Sequence, residues 1–74
     1  NSQGSGISIG FQTQSFAQST AIGINAAATN SGSTALGHLA TARNADATAV
    51  GFSATTGARE ATAVGTKANA GGSG

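Results

Sequence analysis

The chain is 74 residues long, and 17 Ala, 12 Gly, 10 Thr and 9 Ser supply 48 of them, against three Phe and no Trp, Tyr, Met, Cys or Pro. The lack of cysteine excludes a disulfide framework and a thiolate metal site, and a formal net charge of +1 leaves no electrostatic footprint for nucleic acid. No apolar run approaches the roughly 20 residues of a membrane helix and no signal peptide is visible, so direct membrane contact is not expected of this stretch.

Along the chain one short phrase returns five times, as Ser8-Ile9-Gly10, Ala21-Ile22-Gly23, Ala35-Leu36-Gly37, Ala49-Val50-Gly51 and Ala63-Val64-Gly65. Its glycines, Gly10, Gly23, Gly37, Gly51 and Gly65, are spaced by 13, 14, 14 and 14 residues. So tight a period marks an array of one small unit rather than a globular core. The units in register are residues 6–18, 19–32, 33–46, 47–60 and 61–74, the first being one residue short. Each holds a Thr-Ala-Val-Gly type of stretch and then an Ala-x-Ala type, such as Ala26-Ala27-Ala28 or Ala40-Thr41-Ala42. Turn formers separate them. The phrase glycine stands on one side, and Asn30, Gly32, Asn44, Asp46, Gly57 and Gly71 on the other, all residue types that tolerate positive φ. Two strands of about five residues and two turns of about two complete one circuit of a narrow β-solenoid. A two-heptad coiled coil fits worse, because each unit places one branched aliphatic regularly and sets a costly glycine in mid-helix. The Gly/Ser-rich ends read as those of a fragment cut from a longer repeat protein.

Alternation along a strand then sorts the columns. Small residues are expected inside: Ser8, Ala21, Ala35, Ala49 and Ala63 from the first strand. The second strand supplies Ala26 and Ala28, Ala40 and Ala42, Ala54 and Thr56, and Ala68 and Ala70. The opposite face of the first strand carries Ile7 and Ile9, Thr20 and Ile22, Thr34 and Leu36, Thr48 and Val50, and Thr62 and Val64. A continuous apolar stripe on a rod marks an interface. With only eight Ile, Leu and Val in the chain, self-association by a rotation that closes is the economical use of that stripe.

The phrase Ser19-Thr20-Ala21-Ile22-Gly23-Ile24-Asn25-Ala26-Ala27-Ala28, repeated as Ser33-Thr34-Ala35-Leu36-Gly37-His38-Leu39-Ala40-Thr41-Ala42, resembles the head repeat of trimeric autotransporter adhesins of the YadA-like type. The resemblance covers the chain from about residue 5 to residue 74. It implies an all-β, left-handed parallel β-roll assembled as a homotrimer, with the stripe from Ile7 to Val64 as the trimer interface. It further implies a non-enzymatic head on the surface of a Gram-negative bacterium, anchored in the outer membrane through a C-terminal region beyond this stretch. Such heads attach to host matrix proteins or cell receptors, or aggregate with one another. Thr replaces the family's usual Val in four repeats, which makes the implied seam more polar.

Other readings are weaker. An outward ladder of Thr20, Thr34, Thr48 and Thr62 is also the mark of ice-binding solenoids, but Ile7 breaks it and every Thr shares its face with an aliphatic. A structural spacer within a larger head is a further alternative. A hexapeptide-repeat acyltransferase needs a coil in multiples of six. Disorder, the default for so biased a composition, conflicts with the strict register. His38 has no second His, Cys or paired carboxylate beside it in the pattern, so no catalytic residue, metal ligand or cofactor is expected. Its column, with Phe11, Ile24, Phe52 and Thr66, is expected to be partly buried near the seam. Arg43, Arg59, Lys67, Asp46 and Glu60 read as solvated surface charge.

Overall fold

Thr and an aliphatic at alternate positions, with Ala between them, favour short extended strands. In the computed structural model, which describes residues 6–16 and 18–71, each such triplet is a strand. These are β1 (Ile7–Ile9), β3 (Thr20–Ile22), β5 (Thr34–Leu36), β7 (Thr48–Val50) and β9 (Thr62–Val64). Two-residue strands alternate with them: β2 (Gln14–Ser15), β4 (Ala27–Ala28), β6 (Thr41–Ala42), β8 (Thr55–Thr56) and β10 (Asn69–Ala70). The odd strands form one five-stranded parallel sheet in the order β1-β3-β5-β7-β9, and the even strands a second in the order β10-β8-β6-β4-β2. The chain therefore winds between two sheets as an all-β parallel solenoid, with no helix among the described residues. It measures 27 × 20 × 11 Å.

The strands are shorter than the five residues expected, because the corners start earlier and use more chain. At the first corner the phrase glycine itself leaves the strand, with φ between 123° and 129° at Gly10, Gly23, Gly37, Gly51 and Gly65. It then opens a four-residue turn, closed by Ala26 N–H to Gly23 O at 3.2 Å, Ala40 to Gly37 at 3.2 Å, Ala54 to Gly51 at 3.3 Å and Ala68 to Gly65 at 3.2 Å. The third residue of each turn has positive φ: Asn25 (62°), Leu39 (65°), Ser53 (60°) and Lys67 (60°), with Gln12 (59°) in the same column. That is the φ signature of a type II turn. The second corner repeats the device. Ser33 N–H bonds Asn30 O at 3.2 Å and Ala47 N–H bonds Asn44 O at 3.2 Å, while Gly32 (74°), Asp46 (59°) and Glu60 (59°) take the positive φ. Asn30, Asn44, Gly57 and Gly71, expected to need such φ, do not have it. Asn30 and Asn44 instead open the turn, where the carbonyl is what matters. The Asn30 Nδ2 donates to Arg43 O at 2.7 Å, tying its coil to the next.

The missing residue of the first repeat is absorbed at the second corner. Phe16 N–H donates to Ala28 O at 3.0 Å, as Thr29 N–H does to Ala42 O at 3.0 Å. Phe16 O also accepts from Ser19 N–H at 3.1 Å, the part played by Asn30 one circuit later. One residue thus does the work of two, and the ladder above it keeps its register.

The interior is built of alanine. Ala21, Ala26, Ala28, Ala35, Ala40, Ala42, Ala49 and Ala54 are fully buried, and Thr13, Ser15 and Thr56 fill equivalent places. Ser8 is half-buried, its Oγ 2.7 Å from Ser15 Oγ; Ala68 and Ala70 are likewise half-buried. A third interior column, Ser19, Ser33, Ala47 and Ala61, is buried as well. It closes the second corner just before the odd strands, at a position the alternation of the strands leaves unassigned. Its hydroxyls are satisfied by turn carbonyls: Ser19 Oγ donates to Phe16 O at 2.5 Å and Ser33 Oγ to Asn30 O at 2.6 Å. The Thr56 hydroxyl has no such partner.

These features set three expectations for thermal unfolding followed by circular dichroism. Ala49→Leu inserts a large side chain into an alanine-wide interior and should cost about 3 kcal/mol or more; unchanged stability would contradict the packing. Thr56→Val keeps the shape and removes a stranded hydroxyl, for a gain of about 1 kcal/mol. Leu39→Asn relieves a left-handed conformation at an exposed leucine, and should stabilise by up to about 1 kcal/mol.

Candidate interaction surface

Parallel pairing in a constant register turns each repeat position into a straight column. Ile7, Thr20, Thr34, Thr48 and Thr62 stand in one, and Ile9, Ile22, Leu36, Val50 and Val64 in another. Both face outward from the odd-strand sheet, because the alanines between them take the interior. The end residues are the most open, Ile9 at 56% and Val64 at 66%, while Ile22, Leu36 and Val50 are half-buried by their neighbours above and below. The ten residues thus lie side by side on one face carrying methyl groups and threonine hydroxyls but no charge.

The glycine column holds this face flat. A Cβ built on Gly37 would lie 2.6 Å from Gly51 O, and one on Gly51 would lie 2.5 Å from Gly65 O. Successive coils therefore touch backbone to backbone at the corner, and the strands leaving it stay in register.

Beyond the glycines the apolar surface continues round the corner through Phe11, Ile24, His38 and Phe52. These are exposed in the single chain, Phe11 at 69% and Phe52 at 43%. The turn points them away from the alanine interior. The His38 ring sits 5.3 Å from that of Phe52 at an angle of 54°. Leu39, Ser53 and Lys67 follow in the left-handed column. Residue type alone does not mark that column, since only Asn25 in it favours such φ.

Charge gathers at the opposite corner. Arg43, Asp46, Arg59 and Glu60 are all exposed there or just before it, and Lys67 is exposed at the first corner. Among the described residues no three His, Asp or Glu side chains come together to hold a metal ion. A groove of about 390 Å³ near the first repeat is lined by Gln12, Thr13, Gln14 and Asn25; it offers amides and a hydroxyl, with no base, acid or nucleophile pair to work on a bound molecule.

The outward columns thus repeat one shallow, uncharged rung from coil to coil. No match to the chain was found among curated proteins or among solved structures. The family described as the YadA head domain repeat, two copies, does match, at residues 17–40, 28–54 and 42–68, which together span more than two-thirds of the chain. The matched stretch contains the phrases around Gly23, Gly37, Gly51 and Gly65 and both outward columns above β1, so the chain belongs to the YadA head repeat family, an adhesin family exposed at the outer-membrane surface of Gram-negative bacteria.

Proposed function

We propose that the chain is a segment of an adhesin head that works as a homotrimer. In this reading three left-handed rolls of five coils each pack through Ile7, Ile9, Thr20, Ile22, Thr34, Leu36, Thr48, Val50, Thr62 and Val64. The observation that carries it is the uncharged double column on the odd-strand sheet, which leaves large aliphatic side chains outside an alanine-filled interior. Such a face on a thin rod is stabilised by covering it. A three-fold rotation closes the assembly and brings one column of each copy to a common seam.

The outer surface of the trimer then attaches to a host matrix protein or a cell receptor, or to other heads in autoaggregation. Repetition supports this, because many shallow contacts from three equivalent faces give avidity to a polymeric ligand. Attachment is non-enzymatic and needs no cofactor. The head is held at the cell surface through a membrane anchor C-terminal to this stretch.

The mass in solution tests the assembly. Light scattering on a dilute sample is expected to give three times the 6.9 kDa chain, with a β-rich circular dichroism spectrum. Replacing both Ile22 and Leu36 by Asp should abolish the trimer, since six carboxylates would be buried about one axis. A folded monomer from the unaltered chain would overturn the seam, as would an intact trimer from the double variant. Binding of the unaltered trimer to immobilised matrix proteins tests the adhesive role separately.

A further inference from the structure

The outward face of the odd-strand sheet has two unlike margins. On β3, β5 and β7 the threonine comes first, beside the second corner, and the aliphatic residue last, beside the first. Thr20, Thr34 and Thr48 therefore line one margin. The aliphatic margin runs on past the glycines into a ridge of Ile24, His38 and Phe52. Inter-coil hydrogen bonds stack these three, Leu39 N–H to Ile24 O and Ser53 N–H to His38 O at 2.9 Å. The rings of His38 and Phe52 lie 5.3 Å apart, so the ridge is continuous. All three side chains are exposed in the single chain.

We propose that the ridge of one copy packs on the threonine margin of the next, so that the first corner is what grips the neighbour. This pairing rests on the trimeric reading above and adds which surface meets which. A two-fold axis lays a patch on its own duplicate. A three-fold axis instead gives each copy one margin against the neighbour ahead and the other against the neighbour behind. With three odd-strand sheets turned toward a common axis, the first-corner margin of one copy meets the second-corner margin of the next, and no ridge meets another ridge. A closed rotation also has no shift along its axis, so ridge and threonine of the same coil stand level: Ile24 with Thr20, His38 with Thr34, Phe52 with Thr48. The half-buried threonines offer methyl groups to the ridge. Arg43, Asp46, Arg59 and Glu60 are exposed on the turn beyond, and an apolar cover there would strip water from charges without pairing them. Covering the ridge takes the two rings and the isoleucine out of water, which drives the contact.

Cysteine pairing tests it on the coil of β9, where Thr62 continues the threonine margin and Thr66 the ridge column, both exposed. Substitution there is nearly isosteric and leaves Ile24, His38 and Phe52 in place. Within one copy β9 alone puts about 6.6 Å between Thr62 and Val64, and Thr66 lies beyond it in the turn closed by Ala68 N–H to Gly65 O. A disulfide between the two positions therefore has to join two copies. After mild oxidation, Thr62→Cys with Thr66→Cys should run as a covalent trimer on a non-reducing gel, while Thr66→Cys alone should stay a single chain. An unaltered chain that is trimeric by light scattering, combined with no covalent product from the double variant or a covalent dimer from Thr66→Cys alone, would overturn the pairing and leave the trimer standing. A monomeric mass for the unaltered chain would overturn both. A second readout uses Ile24→Ala with Phe52→Ala, which spares the alanine interior. It should raise the concentration at which the trimer dissociates by about tenfold or more, and an unchanged dissociation would overturn the cover over the ridge.

Discussion

The glycine column is the constraint on which the rest of this structure depends. At each first corner one coil passes over the next with backbone against backbone, and a methyl group on Gly23, Gly37 or Gly51 would collide with a carbonyl 2.5–2.6 Å away. Only a residue without Cβ adopts φ near 126° and also leaves room for that carbonyl. Because the corners nest, the strands that leave them run in register, and register is what aligns every later position into a column. A corner widened by even one side chain would separate the coils there and break the ladder of hydrogen bonds that continues through the turns, such as Leu39 N–H to Ile24 O at 2.9 Å.

Tight corners fix the bore of the solenoid. With the two sheets so close, the interior admits Ala, Ser and an occasional Thr, and among the described residues no larger side chain is buried in it. The usual partition of apolar residues is thereby inverted, since every Ile, Leu, Val and Phe that the structure describes lies outside the core. The hydrophobic driving force that a globular domain uses internally is left on one outer face of the rod. In the proposed trimer that face becomes the core of the assembly, and folding and association become one problem. The same logic explains why threonine suits the outer columns: its branched carbon favours the strand, and its hydroxyl tolerates water until the face is covered.

Much of this was legible in the sequence because period and alternation are properties of the chain itself. The 14-residue spacing gave the number of residues per circuit, and alternation placed Ala21, Ala35 and Ala49 inside with Ile22, Leu36 and Val50 outside. The corners were harder. Strand lengths came out too long since a four-residue turn needs more chain than two turn formers indicate. The left-handed positions escaped notice because Leu39, Glu60 and Lys67 are poor residues for such φ. The fold overrides their local preference through hydrogen bonds to the neighbouring coils, Leu39 N–H to Ile24 O, Glu60 N–H to Ala45 O and Lys67 N–H to Phe52 O. The Ser19, Ser33, Ala47 and Ala61 column was missed for a related reason. Serine beside a turn reads as exposed, yet here its hydroxyl folds back onto the turn carbonyl and lets it be buried.

Columns also separate roles around the circumference, and this is where a repeat differs from a pocket. One coil contributes one residue to each column, so a substitution in a single coil changes one rung and leaves the other rungs in place. The aliphatic columns tolerate Ile, Leu or Val interchangeably because a flat face asks only for apolar bulk. The second corner accepts Arg43, Asp46, Arg59 and Glu60 because its residues turn into solvent. A surface built in this way changes its recognition by altering exposed positions coil by coil, while the glycine and alanine columns keep the geometry. The single-residue deletion in the first repeat fits the same scheme, since the loss falls at a corner and Phe16 restores the ladder within one turn. Variation in length and in charge falls at the corners, where the backbone already bends, and the flat face needed for lateral packing stays uncharged.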